Sequence, residues 1–429
     1  MVILKGKKFL IYGFGLSGKS CFKFLNKHNY VRIYDDKEEN IPKILSKKKI
    51  TKKKLKNFNF DYIVLSPGID KTSCSLRKYL KINNYKLINE LDIFHSLCPK
   101  NTKISITGTN GKSTVVSIIF KLLKKSGIDA RLVGNIGFPI LSEKNINKNT
   151  VFVIEVSSYQ IEYSKYFVSD IAAILNITPD HLERHKSYKN YCKIKFKLIK
   201  NQNKKGISLV NKNLHIFDKY LEQNNIKSKI YKINPFVSNK IISKISNNYF
   251  LNKNNLENLK FVLKICQIFK IKNKTFFEIL NKFKGLQYRQ QTILTKNNLI
   301  IINDSKSTSF SSSINLIQSY RNIYWILGGQ SKKGDKLNLK KSNFYDVKAY
   351  IYGRDKNFFE NKLKNKIKCK KFKNLNDATK SVYNNISNDK SLKHIIFSPA
   401  AASYDQYRNF EERGKKFNLI VKKLKFSKC

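Results

Sequence analysis

Arginine is scarce in this sequence. Only nine of its 85 basic residues are arginine and the rest are lysine; acidic residues number 29, so the formal net charge is +56. A nucleic-acid surface favours arginine, whose planar fork pairs with phosphate or guanine through two bonds at once. Here lysine and asparagine run through every segment, including evident surface stretches such as 46–56 and 361–373. That spread fits a compositional bias better than a binding footprint. A nucleic-acid-binding ATPase is the alternative that charge alone raises, and it predicts an affinity that falls steeply with salt. Long apolar runs are missing too. None approaches the roughly 20 residues of a membrane-spanning helix, which excludes an integral membrane protein. The apolar FLIYGFG near the start is broken by glycines, and strand–turn–helix explains it better than a secretion signal. The seven cysteines include no CxxC pair. This speaks against a disulfide framework and a cysteine-only zinc site, and for a reducing cytoplasm. Neither an internal repeat nor a low-complexity linker occurs.

What is present is ample core. The 429 residues, 41% hydrophobic and 12% aromatic, exclude a disordered polyelectrolyte. At roughly 100–200 residues per domain, two to four domains are expected. Strands alternate with helices from end to end, which predicts an α/β protein of three domains, spanning 1–96, 97–286 and 287–429. The first opens with a strand over 9–12, the loop Gly13-Phe14-Gly15-Leu16-Ser17-Gly18, a helix, and a second strand over 31–34 ending at Asp35. This is the layout of a Rossmann-like dinucleotide fold. The spacing predicts anion or nucleotide binding by the Leu16, Ser17 and Gly18 amides, and read bare it suits NAD. A third strand, over 61–65, runs into Ser66-Pro67-Gly68. The second domain should carry a mostly parallel sheet with strands over 103–106, Val151–Glu155 and 170–176. Helices are expected over 115–125, 191–200 and 256–269, whereas 211–248 has no assignable pattern. The third, similar to a dinucleotide-binding fold, should place strands over Leu299–Asn303, 322–327, 348–352 and 394–397, a helix over 311–319 and a last helix from Asn409.

The most specific motif is Gly108-Thr109-Asn110-Gly111-Lys112-Ser113-Thr114, between a strand and a helix. Inward-facing amides, a lysine for the β/γ-phosphates and a hydroxyl for Mg²⁺ are what a P-loop-type ATPase needs. Ile106 stands where the common P-loop has glycine, so this is a shorter variant. Glu155 closes one strand, and Asp180 and His181 follow another; carboxylate and imidazole beside such a loop suit one or two Mg²⁺ ions. In the third domain Asp304, Ser305, Lys306 and Thr308 follow one strand, Lys332 a second and Ser403 a third. Three strands thus deliver polar groups to one carboxyl edge, where open α/β sheets bind ligands.

Together these strings resemble the Mur ligase family over essentially the whole chain. The most specific are ITGTNGKST, GNIG at 134–137, EVSSYQIE, ILNITPDH, INDSKST and SPAAASYDQYRNFEERG. SPGI at 66–69 and the last string favour those members that add D-glutamate to UDP-N-acetylmuramoyl-L-alanine in peptidoglycan precursor synthesis. A sister muramyl or folylpolyglutamate-type ligase would share the ATP site but not the amino-acid pocket. The resemblance implies catalytic roles for Lys112, His181, Lys195 and Lys306. It implies ATP binding by Gly108, Thr109, Asn110, Gly111, Lys112, Ser113, Thr114, Asn255, Asn258, Arg289 and Asp304. Ser113, Glu155, His181 and Lys195 would hold two Mg²⁺ ions, Lys195 as a carbamate that turns a cation into a carboxylate-like ligand. Leu16, Ser17, Asp35, Asp36, Gly68 and Asn135 would meet the UDP substrate, so the first loop would take UDP and not NAD. Lys306, Thr308, Lys332, Ser403 and Phe410 would form the D-glutamate pocket. The family pattern is broken at Lys37, Ile194, Asn254 and Tyr288, where arginine, alanine, histidine and histidine are usual. The resemblance also implies a cytoplasmic monomer whose third domain closes before chemistry.

Overall fold

The computed structural model describes residues 2–137, 139–234, 236–250, 253–283, 285–332, 335, 341–386, 391–424 and 426. It contains three sheets. The first holds β1 (Lys8–Tyr12), β2 (Tyr30–Tyr34), β3 (Tyr62–Leu65) and β4 (Leu87–Ile88), in the order β2-β1-β3-β4. The second holds β5 (Lys103–Thr107), β6 (Ala130–Gly134), β7 (Val151–Glu155), β8 (Ile171–Ile174), β9 (Ile207–Asn211) and β10 (Lys229–Ile233), in the order β10-β9-β8-β5-β7-β6. Every pairing in these two sheets is parallel. The third comprises β11 (Gln291–Lys296), β12 (Leu299–Asn303), β13 (Ile323–Gly328), β14 (Val347–Tyr352), β15 (Lys368–Lys371) and β16 (Lys393–Phe397), in the order β11-β12-β16-β13-β14-β15. Only β11 runs antiparallel there.

The inner strands are covered on both faces, β7 and β8 by apolar side chains and β5 with Lys103, Ser105 and Thr107 along one face. β5, β7 and β8 are buried at every position, as parallel strands covered by helices must be. By packing, the chain divides into two compact units, residues 1–237 with 257–279, and residues 238–256 with 280–429. In the first unit one continuous core runs from Phe9, Ile11 and Ile33 through Phe94 to Phe152, Ile174 and Phe196. In the second, helices cover both faces of the third sheet, with Phe397 and Phe417 on one side and Trp325 and Phe359 on the other.

Two differences from the sequence reading have clear causes. The helix expected over 115–125 begins at Lys112, with Gly111 as its N-cap in a left-handed conformation (φ 83°). Lys112, Ser113 and Thr114 are therefore its first turn, where backbone N–H groups have no intrahelical acceptor. The stretch 211–248 contains the helix His215–Glu222 and β10. β10 is an edge strand, as are β4, β6, β11 and β15, none of which the sequence reading picked out. In β15 (KCKK) no residue is fully buried, and β4 is buried but only two residues long. β9 was also missed, although it lies inside its sheet. The six described cysteines are free thiols, and Cys429 lies outside the described residues. No helix among the described residues is long and apolar enough to cross a membrane.

Candidate functional site

Polar groups collect at the carboxyl edge of each sheet. In the first sheet, β1 turns at Gly13 and the helix Leu16–Leu25 starts directly beneath the turn. A Cβ on Gly18 would lie 1.9 Å from the Gly13 carbonyl oxygen, so only glycine lets helix and turn approach this closely. Leu16 and Ser17 open that helix, Asp35 and Asp36 end β2, and Gly68 follows β3. Asp35 is nearly buried, and its carboxylate accepts from the backbone N–H of Phe14 (2.6 Å) and of Lys37 (2.9 Å) and from Asn40 Nδ2 (2.9 Å). Asp36 accepts from Tyr12 Oη (2.7 Å) and from the Ser75 hydroxyl. Asp35 thus braces the loop from within, while Asp36 ties the end of β1 to Ser75.

In the second sheet β5 lies between β7 and β8, where the strand order reverses and such sheets open a crevice. The phosphate-type loop sits there. Asn176, just beyond β8, holds its backbone: Thr109 N–H donates to the Asn176 carbonyl (2.9 Å), and Asn110 N–H to its Oδ1 (2.8 Å). Lys112 Nζ donates to the carbonyls of Gly108 (2.9 Å) and Thr109 (2.8 Å). Lys195 Nζ, from the helix Tyr188–Lys200, reaches the same Gly108 carbonyl (3.0 Å) and Thr107 Oγ1 (3.3 Å). Burial, with the charge of Lys112 close by, pushes the Lys195 ammonium well below the usual lysine range. One turn before it, the Tyr191 ring lies 4.7 Å from Nζ.

Glu155, 1% exposed at the end of β7, accepts from Ser113 Oγ (2.6 Å) and Asn135 Nδ2 (2.9 Å). Asn135 follows Gly134, whose φ of 104° brings the chain against Glu155. His181, also left-handed (φ 53°), stands between two carboxylates: Asp180 Oδ2 is 3.4 Å from Nε2, and Glu183 Oε1 is 3.6 Å from Nδ1. Asn258 packs on the loop at Gly111. The structure therefore gathers Gly108–Thr114, Asn135, Glu155, His181, Lys195 and Asn258 around one sheet edge. Asn255, one turn earlier on the same helix, belongs to the second unit and donates to the Tyr249 carbonyl (2.7 Å).

At the third sheet, the segments after β12 and β16 meet through Asp304. It is buried and accepts from Ser398 Oγ (2.8 Å) and Gln290 N–H (3.1 Å). Burial pushes its carboxyl up to about 7, against the pull of these bonds and of Arg289 and Arg413. Lys306 lies over the Phe410 ring (4.2 Å), with Arg289 at 5.9 Å from the same ring. Ser403 is buried beyond β16, and Gln330, two residues before Lys332, bonds in both directions with Ala402. Thr308 precedes the helix Phe310–Gln318. Arg413, among the largest fully buried side chains, bonds Ser305 (Oγ 3.1 Å, O 2.7 Å) and Ala401 O (2.9 Å), tying the segments after β12 and β16. Asn176, Ser398 and Arg413 were not singled out from sequence, though each lies in or beside a string that was. Their signal was position next to a strand end.

A glycine-turned loop opening onto a helix N-terminus at the switch point of a parallel sheet defines a nucleotide-binding α/β protein. Comparison with known proteins narrows the class. The profile of the Mur ligase middle domain matches residues 106–280. A Rickettsia prowazekii protein named UDP-N-acetylmuramoylalanine--D-glutamate ligase is 33% identical over 446 residues, covering 98% of each chain. A protein of the same name from Buchnera aphidicola subsp. Schizaphis graminum is 34% identical over 97% of each chain. With relatives aligned at this level along its whole length, the chain belongs to the Mur ligase family. Solved structures agree on the fold. MurF ligase from Thermotoga maritima in complex with ADP has a TM-score of 0.58 at 14% identity, covering 98% of this chain and 96% of that one. UDP-N-acetylmuramate-alanine ligase from the same organism has a TM-score of 0.55 at 14% identity, over 98% and 100%.

Proposed function

We propose that this chain is an ATP-dependent ligase that joins D-glutamate to UDP-N-acetylmuramoyl-L-alanine, acting as a cytoplasmic monomer in peptidoglycan precursor synthesis. The observation that carries the reading is the Ser113–Glu155 pair on the first turn of the phosphate-loop helix, in a chain whose full-length relatives bear that name. Residues 1–96 would hold the UDP substrate, 97–286 ATP and 287–429 the amino acid. The whole-length likeness to ligases named for a UDP-linked substrate favours UDP over NAD at the first loop.

A hydroxyl beside a buried carboxylate, with the Asn135 amide against the same carboxylate, is an oxygen-rich set that fits Mg²⁺. No group of three or more His, Cys, Asp or Glu placed to hold a metal occurs among the described residues. Held by Ser113 and Glu155, Mg²⁺ would supply charge neutralisation at the phosphates. Lys195 and His181 would serve a second ion. For Lys195 this requires a carbamate, and a neutral amine adds CO₂ with release of one proton; the depressed pKa favours that neutral form.

The reaction must make an amide from a carboxylate, a poor electrophile. The amides of 109–114 and Lys112 would cradle the γ-phosphate while the substrate carboxylate attacks its phosphorus and the bond to the β–γ bridging oxygen breaks, releasing ADP. The acyl phosphate so formed is then attacked by the amine of D-glutamate, and the tetrahedral intermediate expels phosphate. Lys306, Lys332, Thr308, Ser403 and Phe410 would seat the amino acid, with cations and hydroxyls facing its carboxylates. Arg289, Asp304, Asn255 and Asn258 would complete the ATP site. Closure of the third domain, by excluding water, would protect the acyl phosphate.

The test is phosphate release with ATP, Mg²⁺ and UDP-N-acetylmuramoyl-L-alanine, offering D-glutamate, L-glutamate, L-lysine and meso-diaminopimelate separately. Turnover is expected with D-glutamate alone and none after chelation of Mg²⁺. Turnover with another of the four and not with D-glutamate overturns the reading.

A further inference from the structure

The turn after β3 is tied to the His181 segment by one side chain. Arg184 Nη2 donates to the Ile69 carbonyl (2.8 Å), while Nε and Nη2 both reach Glu162 Oε2 (3.3 and 3.1 Å). The same Nη2 donates to Tyr163 Oη, which in turn donates to the Ile69 carbonyl (3.1 Å) and accepts from Lys71 N–H (3.1 Å). The guanidinium lies between two rings, 5.4 Å from Tyr159 and 5.3 Å from Tyr163. Tyr159 also packs on His181 (5.0 Å) and stacks on His185 (5.4 Å). Arg184 N–H itself closes the turn onto the His181 carbonyl (3.1 Å), and the Arg184 side chain is 9% exposed. One planar cation thus grips residues 69–71 of the first sheet and 181–185 of the second, both within the same compact unit.

Three features separate this from ordinary surface pairing. Arg184 and Tyr163 both donate to one backbone carbonyl of the turn that carries Gly68, that of Ile69, and Tyr163 Oη accepts from the Lys71 N–H of the same turn. The charge is buried between rings, where lysine could neither stack nor donate along the same directions. Finally, the residue sits one helical turn from His181, and the Tyr159 ring beside its guanidinium is the same ring that packs on the His181 imidazole. We propose that Arg184 is a positioning residue that locks the 66–71 turn to the His181 segment, so that seating of the UDP substrate sets the geometry at His181. The identities of those occupants rest on the function proposed above; the lock itself rests on the bonds.

The experiment compares the full-length wild type with R184A, R184K, Y163F and R184A/Y163F. If the lock operates, R184A raises the KM for UDP-N-acetylmuramoyl-L-alanine at least fivefold and lowers kcat, while the KM for ATP stays within twofold. R184K restores only part of this. The double variant is no worse than R184A, because both groups act on the Ile69 carbonyl. Hydrogen exchange of the 69–71 amides accelerates at least tenfold in R184A, with the 109–114 amides unchanged. A folded R184A with wild-type kinetic constants, or with unaltered exchange at 69–71, overturns the proposal. Should R184A fail to fold, R184K and Y163F carry the same two readouts. If the wild type forms no amide with any amino acid, the functional reading fails on its own and the exchange result alone decides the lock.

Discussion

Replacing Gly111 by alanine tests how tightly the phosphate-type loop and Asn258 are built against each other. Gly111 has φ 83°, where a side chain costs about 1–2 kcal/mol relative to glycine. The added Cβ would stand 2.4 Å from Asn258 Nδ2 and 2.6 Å from Oδ1, so the amide must swing aside. Asn258 is 5% exposed, and an extra methyl in a packed site costs a further ~1–3 kcal/mol. The first unit should lose about 2–5 kcal/mol, which for its size lowers Tm by roughly 4–20 °C. If Asn258 contacts adenine, its displacement also removes a hydrogen bond from bound ATP, raising the KM for ATP about tenfold. Calorimetry gives the first number and phosphate release under ATP titration the second. N258A removes the clashing amide, so G111A/N258A should be less destabilised than the two single effects summed. A G111A protein with Tm within 1 °C of wild type and an unchanged KM for ATP would refute the reasoning, because both costs arise at one contact.

Three further outcomes are expected. Lys195→Ala should lose about 100-fold or more in amide formation if its carbamate holds an ion, and stripping CO₂ should slow the wild type but not the variant. The carbamate needs a neutral amine, so the CO₂ effect grows as pH rises through the lysine's depressed pKa; indifference to CO₂ counts against the modification. Asp304, pushed by burial from 3.8 up to about 7, holds its proton more firmly folded than unfolded. Its contribution is fully present below pH 3.8 and is lost as pH rises to about 7, so Asp304→Asn should flatten the decline in stability across that window in denaturant titrations. Asp92 is fully buried and accepts from Ser164 Oγ (2.9 Å) and from the N–H groups of Tyr166 (2.7 Å) and Phe167 (3.0 Å). Asp92→Ala strands these donors and should cost at least about 3 kcal/mol in urea unfolding, with Asp92→Asn losing less.

Much of the fold was legible because many inner parallel strands are short apolar runs between polar stretches, and Val151–Glu155 and Leu299–Asn303 were read without error in their bounds. Of the edge strands only β2 was legible, and β10 and β15 bury too little to stand out from a lysine- and asparagine-rich background. The start of the helix at Lys112 was missed because its cap is a left-handed glycine, not a serine or aspartate. Among site residues, those within one contiguous string could be placed in order along a strand end. The partners that hold them could not: Asn176 under Asn110, Ser398 on Asp304 and Arg184 under Ile69 come from distant segments.

By itself the sequence determined the alternation of strands and helices, the phosphate-type loop and the family resemblance that full-length relatives bear out. These depend on backbone rules and short-range spacing, which a linear string records directly. Only the tertiary structure decided that Asp35 spends its carboxylate on its own loop, and that Lys112 and Lys195 share the Gly108 carbonyl. It alone set burial, and with it the protonation of Lys195 and Asp304. Lys195 and Gly108 are 87 residues apart. Their contact exists because the helix Tyr188–Lys200 brings Lys195 to the end of β5, and packing between distant segments leaves no local mark on either one.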